Sequence, residues 1–231
     1  MKFKHLSITG PKGENQDAVL EPFQVGDTTW CGIADGVGSS ALGGMAARAS
    51  LDEIRNITVV EPMAELFARI SLKLGALAEE CGSPKSLSTT LSLLCIDGNQ
   101  ALVGHVGDTR ITQYRSGGVM TRTKDQTEVR KLLEDGVLTK HQARRYPRRN
   151  VLLSAMSARR NYDLYETTFS LEIGDRILLT SDGFHGKLLR TQLASLSANT
   201  PDFDEFWRAL EDKLSDESLD DDASCLALEI D

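Results

Sequence analysis

Two apolar runs in this chain end in the same dipeptide. Trp30 to Ala34, in "WCGIADGVG", stops at Asp35-Gly36, and Ile177 to Leu179, in "RILLTSDGF", stops just before Asp182-Gly183. Neither run alternates apolar with polar residues as a half-exposed strand does. Both read as short buried strands, and buried strands need covering layers. A carboxylate at the tip of such a strand is held rigidly. A following glycine lets the backbone approach a ligand closely and adopt positive φ. Asp-Gly is also an ordinary turn dipeptide, and each copy by itself leaves that reading open.

The rest of the chain frames these two tips as strands first and helices after. Strands are expected at Phe3–Thr9, Ala18–Phe23 and Thr28–Ala34. Leu42, Met45, Ala46, Ala49 and Ile54 then follow a helical period, as do Met63, Leu66, Phe67, Ile70, Leu74 and Leu77, with Gly82 just past the end. Strands resume at Thr89–Ile96, Ala101–Val106 and Arg110–Tyr114, with hairpin signals at "IDGNQ" and "RSGG". A short helix is expected near Glu128–Glu134, an irregular segment from Gly136 to Tyr162, and strands at Tyr165–Ser170 and Arg176–Thr180. A last helix carries Phe203, Phe206, Trp207, Leu210 and Leu214 on one face, and Cys225–Ile230 reads as the final strand. Tight hairpins imply antiparallel sheets with helices in outer layers, an α+β layered sandwich. The alternating βαβ order of dinucleotide-binding folds is absent, as are their glycine-rich phosphate loops.

Composition excludes several classes. The 231 residues are 40% hydrophobic and 26% charged, which suits a globular chain with a core large enough to need no disulfides. Four scattered cysteines form no zinc-binding pattern, and Cys31, Cys95 and Cys225 sit in apolar runs as small core residues. The polar start and the lack of a long apolar run point to a cytoplasmic protein with no membrane association. A net charge of −8 argues against nucleic acid as a partner.

Acids gather at strand ends. Asp35 and Asp182 finish strands, Asp17 in "GENQDAVL" precedes the second strand, and "DDDAS" precedes the last. If the last strand runs antiparallel to those ending in Asp35 and Asp182, these acids meet at one edge of the fold. Clustered carboxylates repel unless a positive charge lies between them. Oxygen-only ligands favour a hard cation such as Mg2+ or Mn2+. A set of unrelated turn acids is the competing reading.

Six blocks in order make the pattern specific. "GENQDAVL", "GIADGVGSS", "VGHVGDTR", "TRTKDQT", "IGDRILLTSDGF" and "DDASCLALEI" resemble the successive motifs of the metal-dependent, type 2C serine/threonine protein phosphatases in their short bacterial form. The resemblance runs from about Ile8 to Ile230. It implies a four-layer sandwich of two antiparallel β-sheets flanked by α-helices, built as one catalytic domain over residues 1–231. It also implies Asp35 bridging two metal ions, with the carbonyl of Gly36 on the second. Asp182 and Asp221 complete the first ion's shell, and Asp17 acts through bound water. Asp125 corresponds to a ligand for a weaker third ion, shared with Asp182, while Asp108 reads as structural within its turn. Two Mn2+ or Mg2+ ions so placed lower the pKa of a water between them, and the hydroxide attacks phosphorus without a phosphoenzyme.

Departures from the motif are local. Lys12 stands where the family has a phosphate-binding arginine, so its grip on phosphate is that of a point charge. Gln126 replaces the histidine after Asp125, and Ser157 a common glycine. Val37 stands where animal members carry a histidine proposed as general acid. Asp222 replaces an asparagine, which leaves the C-terminal ligand open between Asp221 and Asp222, with the motif register favouring Asp221. His105 reads as a hydrogen-bonded core residue and His185 as exposed. The segment from Gly136 to Tyr162 carries seven Lys/Arg and no acids, either a solvated face or a flap attracting phosphoproteins.

Three functions are consistent with this. The first is a phosphoserine/phosphothreonine phosphatase opposing a cognate cytoplasmic kinase, with Asp35, Asp182 and Lys12 as its catalytic set. The second is a pseudophosphatase that binds phosphoproteins or a kinase without turnover. The third is a phosphatase acting on a small regulatory protein in a partner-switching pathway.

Overall fold

A computed structural model describes the chain except for residues 12, 39–40, 83–86, 159–160 and 216. The elements run β1 (Lys2–Ile8), β2 (Asp17–Val25), β3 (Thr28–Asp35), α1 (Ala41–Arg55), α2 (Met63–Glu80), β4 (Ser88–Thr89), β5 (Leu91–Asp97), β6 (Gln100–Val106), β7 (Arg110–Arg115) and β8 (Gly118–Thr121). They continue with α3 (Glu128–Glu134), α4 (Lys140–Ala143), β9 (Met156–Ser157), β10 (Tyr165–Ser170), β11 (Arg176–Thr180), α5 (Asp182–His185), α6 (Arg190–Asn199), α7 (Phe203–Ser215) and β12 (Ala223–Glu229).

Two five-stranded antiparallel sheets form, in the orders β10-β6-β5-β3-β2 and β1-β12-β11-β7-β8, with β4 and β9 as a separate pair. The first sheet packs through Trp30, Ala34, Leu91, Leu93 and Cys95 against α1 and α2. The second packs through Tyr114, Leu178, Cys225 and Ala227 against α6 and α7. Between the sheets lies a third cluster, including Cys31, Ile33, Leu94, Ile111, Ile177, Leu179, Leu226 and Leu228. The four layers are therefore helices, sheet, sheet, helices. Strand parity explains the unbroken apolar runs: on β3, residues 31 and 33 face the other sheet while 30 and 34 face the helices.

Each main helix shows why its sequence folds so. α2 buries Met63, Leu66, Phe67, Ile70, Leu74 and Ala78 as one stripe, and α7 buries Phe203, Phe206, Trp207, Leu210 and Leu214. Three elements were not legible as patterns. α6 buries only Leu193 and Ala194, so it has no strong apolar period. α4 and α5 are single turns, and α4 exists through a Thr139–Gln142 capping box rather than through a buried face. No helix among the described residues is long and apolar enough to cross a membrane.

Arg176 ties the second sheet to its helical layer. Its buried guanidinium pairs with Glu229 at 2.9 Å, donates to the carbonyls of Thr200 and Pro201 at 2.8 and 2.7 Å, and lies 4.5 Å above the Phe206 ring. Removing one member of such a pair leaves an uncompensated buried charge. Arg176→Ala is expected to lower unfolding free energy by about 3 kcal/mol in urea titrations. A loss within about 0.5 kcal/mol, as for an ordinary surface change, would contradict this anchoring.

Candidate active site

Parity carries Asp35 into the seam between the sheets. It continues the face of Cys31 and Ile33, at the last position of β3. Its cross-strand partner on β2 is Asp17. Like charges directly opposite each other destabilise an antiparallel pair. From the other sheet, β11 leads through Ser181 to Asp182, and Asp221 precedes β12. Asp35, Asp182 and Asp221 line one cavity of about 280 Å3, together with Gly36, Asp108, Glu14, Gln16 and Asn150. The acids thus come from two different sheets, and their meeting point is where the sheets stack.

Backbone contacts hold each acid in place. The amide of Asp35 donates to the Thr90 hydroxyl at 3.0 Å, and its carbonyl accepts from the Thr90 amide and Thr89 hydroxyl at 2.8 and 2.9 Å. Ser181 and Ser224 lock β11 to β12 through reciprocal bonds, Ser181 N–H to the Ser224 carbonyl at 3.0 Å and Ser224 N–H to Ser181 Oγ at 2.9 Å. Gly36 and Gly183 do not adopt positive φ, contrary to the conformational role expected of them. They are needed for close approach. A Cβ on Gly36 would lie 2.2 Å from the carbonyl carbon of Gly43, and one on Gly183 would lie 2.1 Å from the Asp222 carbonyl oxygen.

Asp221 and Asp222 differ in their surroundings. Both oxygens of Asp222 are engaged, accepting from the amides of Gly10 and Gln16 at 2.7 Å each. Asp222 is a clamp on the N-terminal loop, and Asp221 faces the cavity. Gln16 extends the clamp: its side chain accepts from the Gly44 amide at 2.6 Å and its carbonyl from the Gly36 amide at 3.1 Å. Sequence reasoning passed over this residue, because a glutamine in a loop carries no periodic signal.

Electrostatics mark the same place. Asp17 is buried, and no hydrogen bond reaches either of its carboxylate oxygens. Burial, with the charges of Asp182 and Asp222, raises it to about 7, although the hydroxyls of Ser181 and Ser224 lie close enough to oppose the shift. Burial also raises Asp35 well above the carboxylate range, with Asp17, Asp182, Asp108 and Asp221 adding to it. Asp108, expected to be only structural in its turn, lines the cavity and is pushed up to about 8 by burial and by Asp182 and Asp125. Ionising Asp17 alone in this setting costs on the order of 4 kcal/mol. Among the described residues, no three His, Cys, Asp or Glu side chains close round one point as a preformed cage. The carboxylates ring the cavity instead, with room for cations and water between them. An oxygen-only set of buried and half-buried, mutually repelling acids, one of them without a hydrogen bond among the described residues, fits hard divalent cations.

The remaining sequence candidates separate. Asp125 is held by Arg110 in a two-pronged pair, with contacts of 2.8 and 2.5 Å. Burial raises the Asp125 carboxyl, but the bonds and charge of Arg110 outweigh it and hold it below the usual range. Gln126 stitches its loop down: its amide side chain accepts from the Gly107 amide at 2.8 Å and donates to the Asp163 carbonyl at 2.6 Å. His105 is buried, bonded to Ser92 Oγ at 2.8 Å and to the Lys124 carbonyl at 3.0 Å, and burial lowers it to about 4. His185, expected to be exposed, is half-buried. It donates to the Asp108 carbonyl at 3.1 Å and is also lowered to about 4 by burial. Lys12, Arg159 and Arg160 lie outside the described residues.

The sign of the pH dependence follows. Folded Asp17 holds its proton up to about pH 7, whereas the unfolded carboxyl releases it near the ordinary value of 3.8. Between these values the folded state binds more protons, so stability falls as pH rises. Metal-free protein is expected to melt at a higher temperature at pH 5.5 than at pH 8. Asp17→Asn is expected to raise the pH 8 melting temperature and flatten the dependence. An unchanged slope would remove Asp17 as its source.

The protein phosphatase 2C family model matches residues 12–222. Protein phosphatase PhpP of Streptococcus pneumoniae is 28% identical over 207 residues, covering 85% of this chain and 84% of that protein. The Streptococcus agalactiae serine/threonine phosphatase superposes with a TM-score of 0.89 at 21% identity, covering 100% of this chain and 99% of that one. The catalytic domain of PstP, solved in complex with two manganese ions, gives a TM-score of 0.78 at 22% identity, covering 100% of this chain and 98% of that one. With the family model spanning nearly all of a chain in which five of the six motif blocks line one cavity and the sixth lines the groove beside it, the chain belongs to the protein phosphatase 2C family.

Proposed function

We propose that this protein is a metal-dependent serine/threonine protein phosphatase, that residues 1–231 form one catalytic domain, and that its substrates are phosphorylated proteins. The observation carrying this reading is the convergence of Asp17, Asp35, Asp182 and Asp221, from both sheets, on the seam in a member of this family. Asp35, the Gly36 carbonyl, Asp182 and Asp221 would hold the ions. Asp17 is assigned to solvent held at the centre. Two Mn2+ or Mg2+ ions bound there neutralise the acids and lower the pKa of water in the site.

The chain's own residues supply the rest. Thr89 and Thr90 fix the direction of Asp35, and the Ser181–Ser224 lock fixes Asp182 relative to Asp221. Asp222 holds the amides of Gly10 and Gln16, and Lys12, outside the described residues, is assigned to the phosphoryl oxygens. No cysteine serves as nucleophile: Cys31, Cys95 and Cys225 are buried, burial raises all three thiols, and the exposed Cys81, at the end of α2, lines neither the cavity nor the groove beside it. A cytoplasmic setting opposite a serine/threonine kinase suits this activity. A non-catalytic phosphoprotein-binding module would have little use for so costly a set of acids.

Hydrolysis of p-nitrophenyl phosphate and phosphothreonine peptides with Mn2+, under chelator control, tests this reading. Asp35→Asn and Asp182→Asn are each expected to lose at least about a hundredfold in kcat while remaining folded, since each removes charge that holds the ions. Parental rates in either variant at saturating Mn2+ would sink the assignment.

A third, weaker ion at Asp125 would share that carboxylate with the Arg110 guanidinium, which bonds both oxygens and offsets their charge. Arg110→Ala is therefore expected to tighten the weakest Mn2+ site in calorimetric titrations and leave the two tighter ones. A weak site that stays the same, or disappears, would mean that Asp125 does not hold it.

A further inference from the structure

The cavity of the carboxylates opens into a larger groove of about 1170 Å3. The two share Asp108, Asn150, Asp182 and Asp221, so the groove leads directly to the acids. α3, α4, the stretch up to Asn150 and the start of α6 wall it. The protein carries a net charge of −8, yet this lining is rich in cations. Three of them are already neutralised: Arg110 by Asp125, Arg130 by Glu134 and Lys187 by Asp220. Lys124, Lys140, Arg144, Arg149 and Arg190 also line the groove, all exposed, and among the described residues none has a carboxylate within ion-pair distance.

These cations are held in place without being neutralised. Ala143 is buried and anchors the turn between Lys140 and Arg144, and the Thr139–Gln142 capping box fixes its start. Arg148 bonds Glu128 on α3 at 2.7 Å, pinning the segment beside Arg149. Arg190 donates to the Thr121 hydroxyl at 3.2 Å, and Lys124 lies 5.7 Å above the Tyr165 ring. Arg149 also adjoins Asn150, which borders both cavities. An extended peptide advances about 3.3 Å per residue, so side chains a few positions from a residue seated at the acids pass along this wall.

We propose that the groove receives the acidic flank of a phosphoprotein segment, with Asp or Glu residues within about four positions of the phosphoresidue pairing with Arg149, Arg144, Lys140 and Arg190. The enzyme then selects phosphopeptides of acidic sequence over neutral or basic ones. This rests on the phosphatase reading and adds the substrate class to it. The pairs are exposed, so each contributes modestly and is screened by salt.

The test compares phosphothreonine peptides of equal length whose flanks carry Glu, Gln or Lys. The kcat/KM values are expected to rank Glu above Gln above Lys, with the spread narrowing as salt is raised from 50 mM to about 500 mM. In Lys140→Gln/Arg144→Gln/Arg149→Gln, the Glu-to-Gln ratio is expected to fall by about two- to fivefold for each cation removed. Arg149→Glu should shift preference towards Lys flanks. Equal values for the three peptides in the parental protein, or an unchanged ratio in the variants, would overturn the proposal while p-nitrophenyl phosphate turnover still upheld the phosphatase. A peptide bearing a second phosphate is the further arm, and a preference for it with none for Glu would also overturn the proposal. If no phosphate ester is hydrolysed with Mn2+, the phosphatase reading fails by itself. Fluorescence anisotropy of the same labelled peptides in chelator then decides the groove: tighter binding of the Glu peptide, lost in the triple variant, supports it, and equal binding refutes it.

Discussion

Repulsion among carboxylates enclosed at the seam of two sheets is the constraint on which the rest of this structure depends. Asp17 and Asp35 oppose each other across one ladder, and Asp182 and Asp221 approach from the other sheet. Without counter-charge they resist burial, and Asp17 and Asp108 respond by holding protons to about pH 7 and about pH 8. A fold spends stability on such a cluster only where something else is gained. Divalent cations between the acids would reverse the sign of the interaction and link folding to metal binding at this place.

The surrounding structure exists to keep the acids from relaxing apart. Asp222 clamps the amides of Gly10 and Gln16, Gln16 grips Gly36 and Gly44, and Thr89 and Thr90 hold the backbone of Asp35. Glycines at 36 and 183 allow backbone to meet backbone where any Cβ would collide. These contacts join the two sheets at one end, while the apolar cluster around Ile33, Ile177 and Leu226 joins them along their length. The acidic cavity and the cationic groove then form a gradient of potential, from Arg144 and Arg149, which make no ion pair among the described residues, at the outside to the carboxylates within. Such a field orients an anionic substrate before contact and depends on ionic strength.

Much was readable from the chain because it depends on local order. Both Asp-Gly tips, the helical stripes of α2 and α7, the hairpins and the layered α+β class follow from periodicity and turn chemistry, and the structure carries them at nearly the expected bounds. The six motif blocks, read in sequence, were enough to point to the family. What determined these features is local pattern, unbroken apolar runs, the helical period and turn residues, which survives in any context that buries the apolar positions.

Tertiary structure decided the rest, because it depends on which groups a neighbour reaches first. Asp221 and Asp222 are adjacent and identical in chemistry, and only the amides of Gly10 and Gln16 tell them apart. Asp125 and Asp108 both sit in turns beside Arg110. The guanidinium takes Asp125 in a bidentate pair, while Asp108 is left facing the other acids. His185 looked exposed in sequence but turns inward to the Asp108 carbonyl. The seven basic residues between Gly136 and Tyr162 read as either a solvated face or a flap, yet Arg148 is spent on Glu128 while Arg144 and Arg149 line the groove with no ion pair among the described residues. Charge count along a chain is local, whereas pairing is a contest in space, and its outcome is set by the packing of the two sheets.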